Sequence, residues 1–108
     1  MELRKVTAII RKDALKSVER TLQDMGVSGI SVTQVKGYGE YADTYTKDWL
    51  TSHARIEIFT GADKAEPIAE AIMGAAHTGC EGDGIVAILP VLKLYRIRSR
   101  AAAVAEEL

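Results

Sequence analysis

The chain has 108 residues, with 14 Lys and Arg against 15 Asp and Glu and a formal net charge of −1. Leu, Ile, Val and Phe make up about a quarter of the residues, which excludes a disordered chain and is enough for one hydrophobic core. The near-neutral charge argues against a broad nucleic-acid interface, because a phosphate backbone selects for excess positive charge. One cysteine, Cys80, excludes an internal disulfide and suits a cytoplasmic protein.

The hydrophobic segments are too short for membrane insertion. The longest uncharged apolar run, 85–92, contains Pro90, whereas a membrane-spanning helix needs about 20 residues. The opening Met-Glu-Leu-Arg does not resemble the start of a signal peptide. We therefore expect a single domain over residues 1–108.

The first half of the chain predicts a strand, a helix and a strand. The β-branched run Lys5–Ile10 predicts the first strand. Apolar residues spaced three and four apart predict the helix, at Leu15, Val18, Leu22 and Met25. We expect Asp13 to cap this helix and Gly26 to end it. Ile30–Val35 predicts the second strand, and the aperiodic polar stretch Glu40–His53 predicts a loop.

The second half repeats this order. Alternation over Ala54–Phe59 predicts a strand, and Asp63 with Glu66 predicts a capping box at the start of a helix that Gly79 closes. Ile85–Leu89 predicts the fourth strand.

The end of the chain predicts a short C-terminal strand. This strand covers Leu94–Arg98, and the alanine-rich tail, 99–108, predicts a frayed helix or a disordered segment. The complete order predicts an α+β fold, the ferredoxin-like βαββαβ sandwich, with two helices on one face of a four-stranded antiparallel sheet. Ile9, Val35 and Phe59 would then face water on the other side of the sheet, which predicts a closed homo-oligomer.

Two features of the sequence suit an anion. The loop Thr78–Gly84 has three glycines, which allow successive backbone N–H groups to surround phosphate oxygens. It lacks the GxxxxGK[ST] pattern, so a plain helix-to-strand turn is the alternative. Arg96 and Arg98, if extended, leave the same face with bases about 6.6 Å apart, which suits a diphosphate or paired carboxylates. A solvated edge strand is the alternative reading of this pair.

Catalytic and metal sites are not predicted. Cys80, His53 and His77 lack metal-ligand spacing, and no nucleophile has an identifiable base. Two other classes remain as alternatives. One is an acylphosphatase-like small enzyme, which would also need an anion cradle and an arginine. The other is a CutA-like metal-binding trimer, which rests on the fold with Cys80 and the two histidines.

Several motifs together resemble the PII signal-transduction proteins, in register from Arg4 to about Arg98. These are VTAIIR at 6–11, GVSGISVTQVKGYG at 26–39, RIEI at 55–58, TGCEGDG at 78–84 and RIR at 96–98. The resemblance implies a ferredoxin-like protomer and a homotrimer that binds adenine nucleotides between subunits. It also implies a mobile T-loop, here approximately 37–53, that docks on target proteins.

The resemblance also implies which residues form the nucleotide site. Those that line it are Ile9, Ser31, Gly37 and Gly39. Those on the strand flanking the adenine are Glu57, Ile58 and Phe59. Those in the loop that cradles phosphates are Gly82, Asp83 and Gly84. The arginines offered by the neighbouring subunit are Arg96 and Arg98.

The chain departs from the family where effectors bind. The T-loop is shorter than usual and lacks the Tyr-Arg-Gly-Ala-Glu-Tyr signature. Tyr41 replaces the glutamine that coordinates magnesium and 2-oxoglutarate, and His53 replaces the lysine that pairs with that effector. Cys80 and Ile85 stand where two lysines commonly sit, the second of which reaches the outer phosphates of ATP. Losing that charge-assisted contact, about 1.5–3 kcal/mol, predicts that ADP or AMP binds in preference to ATP.

These departures resemble the divergent PII-like branch, in which some carboxysome-associated members respond to bicarbonate and others accompany transporters. The implied function is a non-enzymatic regulator without a cofactor that signals through its T-loop to a transporter or inorganic-carbon-related partner. The implied residues for a small anion such as bicarbonate are Glu40, Tyr41 and His53. The alternative within the family is a nitrogen-regulatory PII protein sensing ATP, ADP and 2-oxoglutarate.

Overall fold

The computed structural model describes residues 2–38 and 51–108, except for the side chain of Thr51. The main elements, in chain order, are β1 (Leu3–Arg11), α1 (Leu15–Asp24), β2 (Ser31–Gly37), β3 (Thr51–Gly61), α2 (Ala62–Ala76), β4 (Gly84–Val91), β5 (Tyr95–Arg96) and β6 (Ala101–Ala102). Two short 3-10 turns, Lys12–Ala14 and Ala105–Glu107, precede α1 and follow β6.

The four long strands form one antiparallel sheet in the order β2-β3-β1-β4. At its centre Val6 lies opposite Ile58 on one side and Ile88 on the other. The short strands β5 and β6 pair separately as a hairpin after the sheet. This topology confirms the predicted ferredoxin-like α+β fold with a short C-terminal strand.

The core lies between one face of the sheet and the two helices. Alternate residues of β1 and β3 point into it, and each helix contributes a row of apolar residues spaced three and four apart, as predicted. Its fully buried larger side chains are Val6, Ile10, Val18, Leu22, Ile56, Ile58 and Ile72. Removing these apolar surfaces from water is the main source of stability in a sheet packed by helices.

Neither α1 nor α2 packs against the opposite face of the sheet. Ile9 and Val35 are half-buried there, and Phe59 is 43% exposed. Ile85 and Leu89 of β4 are exposed on the same face. The predicted uncovered face is therefore confirmed, and it is partly apolar.

Both predicted helix caps are wrong. Asp13 lies in the 3-10 turn before α1, whose N-cap residue is Ala14, and α2 begins after Gly61 instead of at an Asp63 cap. Neither of these described helices has a side-chain cap hydrogen bond, because the N-cap residues, Ala14 and Gly61, carry no side-chain acceptor. Gly26, with φ +84°, does follow the end of α1 as predicted. Gly79 has φ +86°, but α2 has already ended at Ala76.

The loop after β2 is shorter at its C-terminal side than predicted. Gly37 pairs with Thr51, so β3 extends over a part of the chain whose sequence lacks a clear alternation. His53 lies within β3 and is 3% exposed. Gly39, Glu40 and Tyr41 lie outside the described residues.

The C-terminal predictions also need correction. The strand predicted over Leu94–Arg98 is β5 and covers only Tyr95–Arg96, because residues 97–100 form a turn that leads into β6. The tail is neither a frayed α-helix nor disordered, since Ala103 and Ala105 are buried. Alanine is small enough to pack closely there, and Ala105 lies against Gly61 at the end of β3.

None of the helices in the described ranges is long and apolar enough to cross a membrane.

Candidate functional site

The glycine loop, residues 78–84, joins α2 to β4 in a conformation that needs glycine. Gly79, Gly82 and Gly84 all have positive φ. A Cβ on Gly84 would lie 1.8 Å from the carbonyl oxygen of Ile9. Glycine is therefore required where the loop enters the sheet, because β4 approaches β1 too closely for any side chain.

Asp83 ties the glycine loop to itself. Its carboxylate accepts hydrogen bonds from the amides of Thr78 at 2.8 Å and Gly79 at 2.9 Å, and from the Thr78 hydroxyl. The hydrogen bonds from Thr78 hold the pKa of the Asp83 carboxyl well below its usual range. The carboxylate is thus ionised and used within the loop, so Asp83 can contribute to a phosphate cradle through the shape it gives the backbone.

Three successive amides of the glycine loop are left for a ligand. The Cys80 amide donates to the Thr78 hydroxyl at 3.1 Å, whereas the amides of Glu81, Gly82 and Asp83 form no hydrogen bond to any residue in the described ranges. Successive backbone N–H groups without partners are the donors that an anion-binding turn provides. Cys80 itself has an exposed free thiol.

The ends of two strands hold the glycine loop from outside. Arg11, the last residue of β1, donates from Nε to Asp83 Oδ1 at 3.3 Å and from Nη2 to the Glu81 carbonyl. His53 Nε2 lies 3.2 Å from the Gly82 carbonyl oxygen. The described residues do not test the small-anion site predicted at Glu40, Tyr41 and His53, because Glu40 and Tyr41 lie outside them; the His53 ring itself is buried and contacts the loop backbone.

Arg11 was missed by sequence reasoning. It lies 72 residues from Asp83 in the chain, and the VTAIIR motif that it ends does not show what its side chain contacts. The available signal was the pairing of β1 with β4, which places Ile10 opposite Gly84 and the next residue beside the loop. That register is known only once the sheet is assembled.

The nominated nucleotide residues divide into two groups. The first group, at the glycine-loop end of the sheet, comprises Ile9, Gly37, Gly82, Asp83 and Gly84. The second group, at or towards the opposite end, comprises Ser31, Glu57, Ile58 and Phe59.

Two residues of the second group, Ile58 and Phe59, line a cavity. This cavity of about 190 Å³ is bounded by Ile58 and Phe59 of β3, by Pro67 of α2 and by Gly29 before β2. The Ile58 side chain is buried in the core, and Phe59 lies on the open face. Glu57 forms ion pairs of 3.2 Å with Lys5 and with Arg55. We call this region the cavity end.

The two arginines belong to the cavity end. β4 finishes with Val91 opposite Leu3, which also pairs with Gly61, so the C-terminal segment leaves the sheet there. Arg96 forms a 3.2 Å ion pair with Glu107, and Leu108 lines the cavity.

Arg98 does not continue the strand of Arg96. It lies in the turn after β5 and is exposed, so the predicted pair of guanidiniums on one extended strand is wrong. The two side chains still belong to one short hairpin.

One protomer does not bring its two groups together. Ala54 lies level with the glycine loop, through Ile10 and Gly84, and Phe59 is five residues further along β3. Five extended residues span about 16 Å. The glycine loop and the cavity therefore lie at opposite ends of the same sheet.

In residues 2–38 and 51–108, no group of three or more His, Cys, Asp and Glu could hold a metal ion.

Comparison with known proteins gives consistent matches over most of the chain. The family model described as nitrogen regulatory protein P-II matches residues 3–101. The nitrogen regulatory protein P-II of Cereibacter sphaeroides is 37% identical over 105 residues, covering 90% of this chain and 93% of that protein. Nitrogen regulatory protein GlnK2 of Haloferax mediterranei is 37% identical over 102 residues, covering 87% and 82%.

A solved structure gives the same result. The crystal structure of Arabidopsis thaliana PII bound to citrate matches with a TM-score of 0.82 and 30% identity, covering 94% of this chain and 89% of that one. PII proteins are homotrimers that bind nucleotides and interact with protein targets. By family model, sequence identity and fold, the chain belongs to the PII family of regulatory signalling proteins, which are not enzymes.

Proposed function

We propose that this protein is a homotrimeric PII-like regulator that binds adenine nucleotides between subunits, ADP and AMP in preference to ATP. The observation that carries the proposal is the separation of the two groups of nominated residues. A nucleotide can contact both groups only if the glycine-loop end of one protomer meets the cavity end of another. A head-to-tail contact of this kind forms a closed ring when its rotation closes.

Exposed apolar side chains support an assembly of several copies. Leu92 and Ile97 of the C-terminal segment are 97% and 95% exposed, and Phe59 and Ile85 are exposed on the open sheet face. Several large apolar groups exposed together are typical of an interface.

The two ends offer complementary chemistry for a nucleotide. At the glycine-loop end, the amides of Glu81 and Gly82 suit phosphate oxygens. At the cavity end, Arg96 and Arg98 offer positive charge, and the cavity beside Phe59 offers apolar surface for a base. The Arg96–Glu107 ion pair must open, or shift, before a phosphate can use both edges of that guanidinium.

The preference for ADP over ATP rests on Ile85. This residue follows the glycine loop directly and is 43% exposed, where a lysine would present an ammonium group to an outer phosphate. Arg11 is the cation that contacts the loop in the described part of the chain, and it is already paired with Asp83. A third phosphate therefore adds charge without adding a matching cation.

Calorimetry on the intact trimer tests the proposal. Replacing Arg96 and Arg98 by alanine should weaken ADP binding at least tenfold, because charge-assisted contacts to phosphate are lost. The matched control is Arg20→Ala, an exposed arginine on α1, which should leave ADP binding unchanged. Unchanged ADP binding in the double variant would contradict the site, and tenfold tighter binding of ATP with magnesium than of ADP would contradict the preference.

Subunit mixing tests whether the site is shared. A second variant, Gly82→Asp, puts a carboxylate where phosphate should bind and should also lose ADP. Refolding it together with the double arginine variant in equal amounts should restore about a quarter of the sites. These are the sites that combine the unchanged loop of the arginine variant with the unchanged arginines of the Gly82→Asp variant. No recovery, with trimers formed, would show that each site lies within one protomer.

The second effector proposed is bicarbonate. Support comes from the departures at the 2-oxoglutarate positions, where Tyr41 and His53 replace a glutamine and a lysine. Because His53 contacts the Gly82 carbonyl, an anion near it would act on the glycine loop and on the start of β3 together. Bicarbonate should then change ADP affinity and protease cleavage within 38–50, whereas a response to 2-oxoglutarate alone would favour nitrogen regulation.

The target proposed is a transporter or an inorganic-carbon-related protein that docks on the T-loop, approximately 37–53. This loop joins β2 to β3 directly after the Gly37–Thr51 pair, next to His53. If this loop has two conformations near the Gly37–Thr51 pair, a ligand that binds them unequally would change the affinity for the target. Docking that is insensitive to ADP and to deletion within 40–48 would contradict this role.

A further inference from the structure

We propose that Arg11 is a positioning residue for phosphate binding: it fixes the glycine loop in the shape that leaves the Glu81 and Gly82 amides for a ligand. The inference rests on the proposed function and adds to it a residue on a different strand. The resemblance to PII proteins did not nominate Arg11 for the site.

Arg11 lies at the end of β1, beside the glycine loop. It ends β1 opposite His53, one residue beyond the Ile10–Gly84 pair that joins β1 to β4. Its side chain is 22% exposed, and it lies against the loop instead of extending into solvent. A fixed strand end thus places a guanidinium beside a turn that has three glycines and little stiffness of its own.

Arg11 donates hydrogen bonds to two residues of the glycine loop. Nε donates to Asp83 Oδ1 at 3.3 Å, and Nη2 donates to the Glu81 carbonyl oxygen. The planar guanidinium holds these two acceptors at a fixed relative position, which a single ammonium cannot do. Arg11 therefore connects the backbone at 81 to the carboxylate that binds the start of the loop.

These contacts leave backbone amides of the glycine loop without partners in the described residues. The Asp83 carboxylate accepts hydrogen bonds from the Thr78 and Gly79 amides, and the Thr78 hydroxyl accepts one from the Cys80 amide. Arg11 fixes the peptide that follows Glu81 through the Glu81 carbonyl, and this peptide carries the Gly82 amide. Without Arg11 that peptide can rotate, and the free amides lose their common direction.

The contact with Asp83 also explains why Arg11 is not itself a phosphate ligand. Its charge is matched by an ionised carboxylate within the same cluster. Arg11 acts through the loop, so its loss should affect ligands with phosphates and spare those without.

The test compares ADP with adenosine on the intact trimer by calorimetry. Arg11→Ala should weaken ADP binding about tenfold or more and leave adenosine binding unchanged, and Arg11→Lys should weaken ADP only about threefold. The matched control is Arg4→Ala, which removes another β1 arginine that pairs with a carboxylate and with a backbone carbonyl. It should leave both ligands unaffected.

The outcomes are distinct. If wild-type protein binds no ADP, the proposed function fails, and the inference fails with it. If wild-type protein binds ADP and either Arg11 variant binds it equally well, only the role of Arg11 is overturned. Equal weakening of ADP and adenosine would also overturn it, because general damage to the fold would explain that result. If Arg11→Ala does not fold, Arg11→Lys decides.

Discussion

The two ends of the sheet are built in different ways. At the glycine-loop end, residues from β1, β3 and the loop are joined by hydrogen bonds: Arg11 and Thr78 donate to Asp83, and His53 contacts the Gly82 carbonyl oxygen. At the cavity end, a two-residue-strand hairpin carries the arginines, and Leu92 and Ile97 beside it are almost fully exposed. One half of the proposed site is therefore formed within a single protomer, and the other half depends on a neighbour to cover it.

The largest expected effect is at Gly84, where the glycine-loop end has no room for a side chain. Gly84→Ala should lower the free energy of unfolding by about 3 kcal/mol or more, because its Cβ would overlap the Ile9 carbonyl and its φ of +111° is strained for alanine. Chemical denaturation of the variant measures this loss.

The matched control for this substitution is Gly74→Ala. Nothing lies within 4 Å of a Cβ at Gly74, which is in the interior of α2. Alanine there should raise stability by about 0.5–1 kcal/mol. Equal effects of the two substitutions would mean that the close approach of β4 to β1 does not limit the loop.

Asp83→Asn should have an intermediate effect that depends on pH. Because the folded-state pKa of Asp83 is lowered, its carboxylate contributes stability above the unfolded value, near 3.8, and this contribution is lost as pH falls below that value. At pH 6 the variant should be less stable by about 1.5 kcal/mol or more, since charge-assisted hydrogen bonds are weakened.

Denaturation curves from pH 7 to pH 2.5 measure the difference between the two proteins. It should be constant at high pH and shrink below about pH 4. Asp13→Asn, at an exposed turn residue, is the control and should change stability by less than about 0.5 kcal/mol. A difference that grows as the pH falls would contradict this account of the loop.

The smallest effect is expected at the cavity end. Glu107→Gln removes the carboxylate that pairs with Arg96, so ADP should bind about twofold to fivefold more tightly, the range that exposed ion pairs allow. Glu70→Gln, on the exposed side of α2, is the control for removing one negative charge. Weaker ADP binding in Glu107→Gln would show that the tail orients Arg96 for the nucleotide instead of competing with it.

Local patterns in the sequence were sufficient for the elements and the fold. The spacing of Val18 and Leu22 and the alternation through Ile56 and Ile58 each report which side of an element is buried, because helices and strands have fixed periods. The predictions failed where local and tertiary effects compete. His53 lies in a strand because β2 pairs with it, and the alanine tail packs because Gly61 leaves space for it.

The chain by itself also determined that glycines occupy the loop and that two arginines follow β4, since these are properties of residue type. Only the tertiary structure decided that Arg11 and His53 hold that loop, because contacts over 72 and 29 residues depend on how the strands align. It likewise decided that the loop and the cavity lie at opposite ends of one sheet, since antiparallel register, and not spacing along the chain, sets that separation.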